Sequence, residues 1–233
     1  MLKKPLNVVP VMQYPINEIF YSLQGEAHFA GLPSVFIRMQ GCNVGCAFCD
    51  TKHTWELDVK TQETIAKVVA KQSEHRDNWA YFSITDLFTE IHKYPACRHV
   101  VFTGGEPAMY DLREITGKLH ELGYTIQIET SGTEELLLSP HTWVTLSPKV
   151  DMPGHKEVLP QNIARANEIK MPVGKMADIV KLKELLANNT VNTRLIWLQP
   201  LSCKENPTRL CIEQALKNNW RVSTQIHKFI NIH

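Results

Sequence analysis

Arg98-His99-Val100-Val101-Phe102-Thr103-Gly104-Gly105-Glu106-Pro107 is an apolar run that stops on a polar, glycine-rich turn. Its β-branched and aromatic residues read as a strand, and the turn ends it. The period then changes. Asp111 to Leu122 reads as a helix, with Gly123 where a C-terminal cap belongs. The same unit recurs downstream. Tyr124 to Ile128 runs into Glu129-Thr130-Ser131-Gly132, Thr142 to Leu146 into Ser147-Pro148-Lys149, and Arg194 to Leu198 into Gln199-Pro200-Leu201-Ser202. Helices are expected near 160–168, from Ala177 to Ala187, and from an Asn206 cap and Pro207 to about Lys217. Glu168-Ile169-Lys170-Met171 reads as a short strand or its edge, and Arg221 to Ile226 as the last strand. Such alternation implies a parallel sheet with helices outside. Strands outnumber convincing helices, so the expected α/β fold is an incomplete, open-sided (β/α) barrel of about six parallel strands, short of the eight of a full barrel. Polar and Gly/Pro motifs end strand after strand, on the rim where such folds bind ligands.

Upstream, Ser34 to Gln40 is strand-like between Pro33 and Gly41, and it leads directly into Gly41-Cys42-Asn43-Val44-Gly45-Cys46-Ala47-Phe48-Cys49-Asp50. Thiolates spaced C-x3-C-x2-C select zinc or an iron–sulfur cluster. A closed cluster normally takes about four cysteines, so three would leave one iron open to a substrate or cofactor. His53 follows Cys49 closely enough that a structural Cys3His zinc site is the rival, and spacing alone leaves both open. Further along, 62–74 reads as a helix, the stretch through Asn78 to Tyr81 as irregular, and 84–93 as a helix capped by Ser83 and Asp86. Ile16 to Ser22 leads to a polar turn, Leu23-Gln24-Gly25-Glu26. Residues 1–11 read as an N-terminal extension and 12–233 as one domain.

The chain has 233 residues, with 43% hydrophobic and 21% charged, which is ordinary for one globular core and excludes a disordered protein. A formal net charge of +1 provides no global field for nucleic acid or anionic membrane. No apolar run approaches a membrane span, and the start is a poor signal peptide. Half of the six cysteines crowd into one motif, which fits metal ligation in a reducing cytoplasm better than a disulfide framework. Cys97, Cys203 and Cys211 read as small buried hydrophobes.

The cysteine motif followed by Thr103-Gly104-Gly105-Glu106-Pro107 resembles the radical S-adenosylmethionine (SAM) superfamily. The resemblance implies that Cys42, Cys46 and Cys49 hold a [4Fe–4S] cluster whose open iron chelates SAM, in a shortened form of the superfamily barrel. Tyr14 to Glu18, Leu23 to Glu26, Cys49 to Trp55, Glu129 to Gly132, Ser147 to Lys149 and His227-Lys228 narrow the match. They look like the 7-carboxy-7-deazaguanine synthase family. Membership would imply conversion of 6-carboxy-5,6,7,8-tetrahydropterin to 7-carboxy-7-deazaguanine with loss of ammonia, toward queuosine. It would also imply Mg2+, a homodimer and an electron donor such as flavodoxin. The rival with the same two motifs is a glycyl-radical-enzyme activase.

Carried over residue by residue, the resemblance implies SAM contacts at Phe48, Cys49, Asp50, Gly105, Ser147, Pro148, Lys149, Gln199, Pro200, Leu201 and Ser202. Glu129 and Ser131 would meet the ribose. Thr51 would ligate Mg2+, with Asp50 near the metal or SAM, and His53 would be a loop residue. The pterin would meet Leu23, Gln24, Gly25, Glu26, Arg38, Thr103 and His227. A pterin presents an N–H and an amine side by side, which a carboxylate such as Glu26 accepts in a fork. Its own carboxylate suits the Arg38 guanidinium. No side chain is expected to act as a catalytic acid or base, since the radical chemistry belongs to the cofactors. At Ala27 the chain departs from the family pattern, where glycine is frequent.

Overall fold

The computed structural model describes residues 12–70 and 76–232. The expected extension at 1–11 and part of the helix expected at 62–74 lie outside the described residues. One nine-stranded sheet has the order β3-β1-β2-β4-β5-β6-β7-β8-β9. Its strands are β1 (Gln13–Leu23), β2 (Pro33–Met39), β3 (Ala80–Ser83), β4 (His99–Gly104), β5 (Thr125–Thr130), β6 (Trp143–Leu146), β7 (Glu168–Val173), β8 (Ile196–Pro200) and β9 (Arg221–Val222). The helices are α1 (Ile65–Val69), α2 (Ile84–Ile91), α3 (Arg113–Glu121), α4 (Pro160–Arg165), α5 (Met176–Asn188), α6 (Glu205–Asn218) and α7 (Ile226–Ile230). From β2 through β9 every pairing is parallel, and the two end strands do not meet, so the barrel is open-sided as expected.

The N-terminal part of the sheet differs from the sequence reading. β1 is a full strand, antiparallel to both β2 and β3, and Ala80–Ser83 is a strand where irregular chain is expected. The register of β1 slips between Ile16 and Glu18. A bulge there breaks the two-residue alternation by which strands are read. At the other end, β9 keeps only Arg221 and Val222. The chain leaves the sheet because the Ile226 amide donates to the Gly25 carbonyl at 2.9 Å, which starts α7. α6 begins after Lys204 rather than at an Asn206 cap, with Asn206 and Pro207 inside its first turn, where a missing N–H costs nothing. The Ser83–Asp86 capping box forms as expected.

Strand alternation divides the sheet into two unlike faces. Ile37, Met39, Val100, Phe102, Ile126, Ile128, Val144, Leu146, Ile169, Met171, Ile196 and Leu198 are buried in one apolar core with the helices. The alternate positions Arg38, Thr103, Glu129, Lys170, Pro172 and Gln199 line a cavity on the concave face. Burial of the convex face supplies the folding drive, at about 25 cal/mol per Å2. The concave face is thereby free to be polar. Cys97 and Cys211 are buried as expected, whereas Cys203 is only half-buried, in a left-handed turn with φ +52°.

Candidate active site

The cavity has a volume of about 380 Å3 and opens at the C-terminal ends of the parallel strands. Cys42, Cys46 and Cys49 all line it. Their loop is fastened at its start, where Gly41 N donates to Thr54 O at 2.7 Å and Cys42 N to Trp55 O at 2.9 Å. Gly41 and Gly45 adopt φ values of +97° and +69°, which only glycine holds without strain. Burial, the largest influence, raises the Cys42 and Cys46 thiols above their ordinary pKa. Such thiols ionise on a metal. The three thiols on one wall, with no fourth cysteine in the lining, fit a cluster with an open iron. His53 does not line the cavity with the three cysteines, which sets it apart from them.

The glycine-rich turn is docked onto that loop. Gly105 N donates to Met39 O at 2.9 Å and Glu106 N to Gly41 O at 2.8 Å. The glycines here admit the neighbouring backbone of Met39 and Gly41. Glu106 is also not a free acceptor. It is 2% exposed, and its carboxylate takes Thr130 Oγ1 at 2.7 Å, Ala108 N at 3.0 Å, and both the amide (2.8 Å) and the hydroxyl of Ser131. It thus locks the end of β4 to the end of β5.

The residues expected around SAM lie together. Phe48, Asp50, Gly105, Ser147, Lys149, Gln199, Pro200, Leu201 and Ser202 line the cavity. Pro148 lines an adjoining recess that shares Phe48, Pro172 and Leu201 with it. Phe48 is 41% exposed, which removes core packing as its role. Lys149 donates to Ser147 O at 2.9 Å and Ser147 Oγ at 2.5 Å, and burial lowers its pKa. Thr51 presents its hydroxyl to the same space, 3.5 Å from Cys49 Sγ. Asp50 meets Lys228 at 3.6 Å on the rim.

The residues expected around the pterin line the same space: Leu23, Gln24, Gly25, Glu26, Arg38, Thr103 and His227. The Gln24 side chain is spent on shaping the turn, donating to Gln127 at 3.0 Å and accepting from Glu26 N at 3.1 Å. A Cβ on Gly25 would lie 2.2 Å from His227 Nδ1, so glycine makes room for that ring. Burial holds His227 below its usual pKa. Arg38 Nε pairs with Glu18 Oε1 at 2.5 Å, and the guanidinium lies over Phe20 at 5.4 Å. Ala27, where the family pattern has glycine, sits at φ +54°, a left-handed conformation that costs an alanine about 1 kcal/mol.

On the floor of the cavity, sequence reading missed Lys170 and Gln225. Lys170 Nζ bridges Glu26 and Glu129, the latter at 2.7 Å. Gln225 Nε2 donates to Glu26 Oε1 at 2.9 Å and Gln199 Nε2 to the same oxygen at 3.2 Å. The signal for Lys170 was its alternation with Glu168 in an otherwise apolar strand.

Residues 36–157 match the Radical SAM superfamily. A 7-carboxy-7-deazaguanine synthase of Escherichia coli (strain K12) is 53% identical over 224 residues, covering 95% of this chain and 100% of its own. The enzyme of that name from Buchnera aphidicola subsp. Schizaphis graminum is 45% identical over the same shares. The crystal structure of QueE from Escherichia coli superposes with a TM-score of 0.88 at 52% identity, covering 93% of this chain and 95% of that one. The similarity spans the barrel as well as the cysteine loop, and the chain belongs to the 7-carboxy-7-deazaguanine synthase family of the radical SAM superfamily.

Proposed function

We propose that this protein is a lyase converting 6-carboxy-5,6,7,8-tetrahydropterin to 7-carboxy-7-deazaguanine with loss of ammonia, a step toward queuosine. One observation carries the reading beyond family membership. The three-cysteine wall and a wall bearing Arg38, Glu26 and Thr103 face the same cavity of about 380 Å3. That volume is of the size that encloses small ligands. A glycyl-radical activase would instead need access for a protein backbone, and a floor of paired buried charges does not suit one.

Cys42, Cys46 and Cys49 would hold the [4Fe–4S] cluster, and the strand-end turns from Gly105 to Ser202 would hold SAM. When bound, these groups supply one-electron, hydrogen-abstracting chemistry. The chain's own residues orient the substrate and keep water out. With Nε taken by Glu18, Arg38 keeps its Nη edge for the substrate carboxylate. Glu26 and Thr103 receive or donate hydrogen bonds at the ring, and His227 covers it from α7. Thr51 offers a hard oxygen to Mg2+ beside the substrate. Among the described residues no helix is long and apolar enough to cross a membrane. A cytoplasmic homodimer, reduced by a donor such as flavodoxin and without direct nucleic-acid contact, is the setting that accompanies this reading.

The test is anaerobic incubation of reconstituted protein with SAM, Mg2+, a reductant and the carboxytetrahydropterin. The expected result is 7-carboxy-7-deazaguanine and ammonia with SAM recovered, and a Mg2+ requirement that rises in Thr51→Ala. A fully loaded protein that makes no such product, yet passes a radical to a partner protein, overturns the reading. Arg38→Ala is expected to raise KM for the pterin about ten- to a hundredfold, the worth of one charge-assisted pair. SAM affinity should hold. Equal losses in both titrations would remove Arg38 from the substrate side.

A further inference from the structure

Lys170 is 5% exposed at its side chain, and it stands where walls of the cavity from distant parts of the chain converge. It reaches Glu26 from the turn after β1 and Glu129 from β5. Glu26 Oε1 is filled by two amide donors, Gln199 from β8 and Gln225 from the segment before α7. Glu129 Oε1 accepts from Gln127 Nε2 at 3.0 Å. The lone pairs left over are therefore on Glu26 Oε2 and on Glu129, the two groups that share the ammonium. Two carboxylates sharing one ammonium also leave the pair short of hydrogen-bond donors. A buried charge in that position is costly until a ligand completes it.

We propose that Lys170 is a positioning residue for the substrate: it pins Glu26 and Glu129 as one carboxylate pair whose spare lone pairs receive the N–H donors of the pterin ring. The inference deepens the function proposed above and rests on it. Electrostatics agree with the geometry. Burial pushes Glu26 upward, but the charge and hydrogen bond of Lys170, with Gln225, outweigh it and bring the carboxyl down to about 2. For Glu129 burial prevails over Lys170, Glu26 adds to it, and the group is raised to about 7. Other charges facing the pair are His227 from α7, Lys149 from the turn after β6, and Glu168 on β7 itself. Removing Lys170 takes away the influence that lowers both carboxyls. Both pKa values then rise, and the ionised pair is lost at a higher pH on acidification.

The experiment is anaerobic titration of the carboxytetrahydropterin into wild type, Lys170→Met, Lys170→Arg and the double variant Lys170→Met/Glu129→Gln, across pH. Iron content, SAM affinity and melting temperature are measured on each. Lys170→Met should weaken pterin binding on the order of a hundredfold. Its acid limb should move up by at least about one pH unit, while cluster and SAM binding persist. Lys170→Arg should restore the acid limb. The double variant keeps the net charge of the cluster, so it folds even if Lys170→Met does not, and it should still bind weakly. Wild-type affinity and an unmoved acid limb in Lys170→Met would overturn the proposal. So would full recovery in the double variant, since Lys170 would then only neutralise burial. Failure of the wild type to bind the pterin would instead sink the functional reading itself.

Discussion

Cys46→Ala is expected to purify as a folded, colourless and inactive protein. The main apolar cluster draws on the convex face of the sheet and the helices, and no residue between Gln40 and Lys67 belongs to its buried set, although Ile65 packs on it partly buried. The cysteine loop lies outside that cluster, although Val44 and Cys46 are buried, and backbone hydrogen bonds tie it to Thr54, Trp55, Glu106 and Gly154. Deleting one sulfur from it removes little packing, and a loss of about 1 kcal/mol is in keeping with a small side chain. The chemical loss is complete, because two thiolates cannot hold a cluster that needs three protein ligands and one open iron. Iron and sulfide per chain after anaerobic reconstitution, the visible absorption and the melting temperature together decide the matter. Cys97→Ala is the control. Its thiol is in the core, donating to Pro33 O at 3.4 Å and His99 O at 3.3 Å, so stability should fall while cluster and turnover remain. A Cys46→Ala protein that keeps iron and turnover would remove the cluster from this loop.

The two halves of the site differ in how far the sequence reveals them, and the reason is physical. Rim residues sit where apolar strands break into Gly, Pro and small polar residues, so Gly105, Ser147 to Lys149 and Gln199 to Ser202 stand out against their surroundings. The parallel part of the sheet is legible for the same reason. β1 escapes because its bulge shifts the alternation and because Pro15, Asn17 and Glu18 dilute an otherwise apolar run. Arg38 is conspicuous as a lone charge in an apolar strand. Gln127 with Glu129, and Glu168 with Lys170, alternate in the same way, and that argument applied to β5 and β7 picks out the floor. Read only as a short strand or its edge, Glu168 to Met171 carries no sign of what flanks it, and that conceals the floor. In the fold β7 lies between β6 and β8, where a charge is costly unless paired. Gln225 carries no local signal, because only the departure of the chain from β9 brings it over Glu26.

Gly105→Ala is expected to be strongly destabilising and to loosen the cysteine loop. A Cβ at Gly105 would lie 2.0 Å from Gly41 O and 2.7 Å from Gly41 C. Both are backbone atoms, so no side chain can swing aside. Gly41 begins the cysteine loop, and its carbonyl accepts the Glu106 amide at 2.8 Å. Relief of the clash therefore means separating the glycine-rich turn from the cluster loop and breaking that bond. Overpacking of this kind costs about 3 kcal/mol or more, roughly 6–12 °C in melting temperature for a chain of this size. Cluster occupancy should fall with it, because the turn is what holds the loop in register. Gly117→Ala is the opposite case. Gly117 lies inside α3, and a Cβ there meets nothing within 4 Å. Alanine at that position should stabilise by about 0.5–1 kcal/mol, since it narrows the unfolded ensemble without a clash. Thermal melts and iron content on the two variants test the same argument from both sides. A Gly105→Ala protein that melts with wild type and binds a full cluster would mean that the two backbones do not need to touch for the site to form.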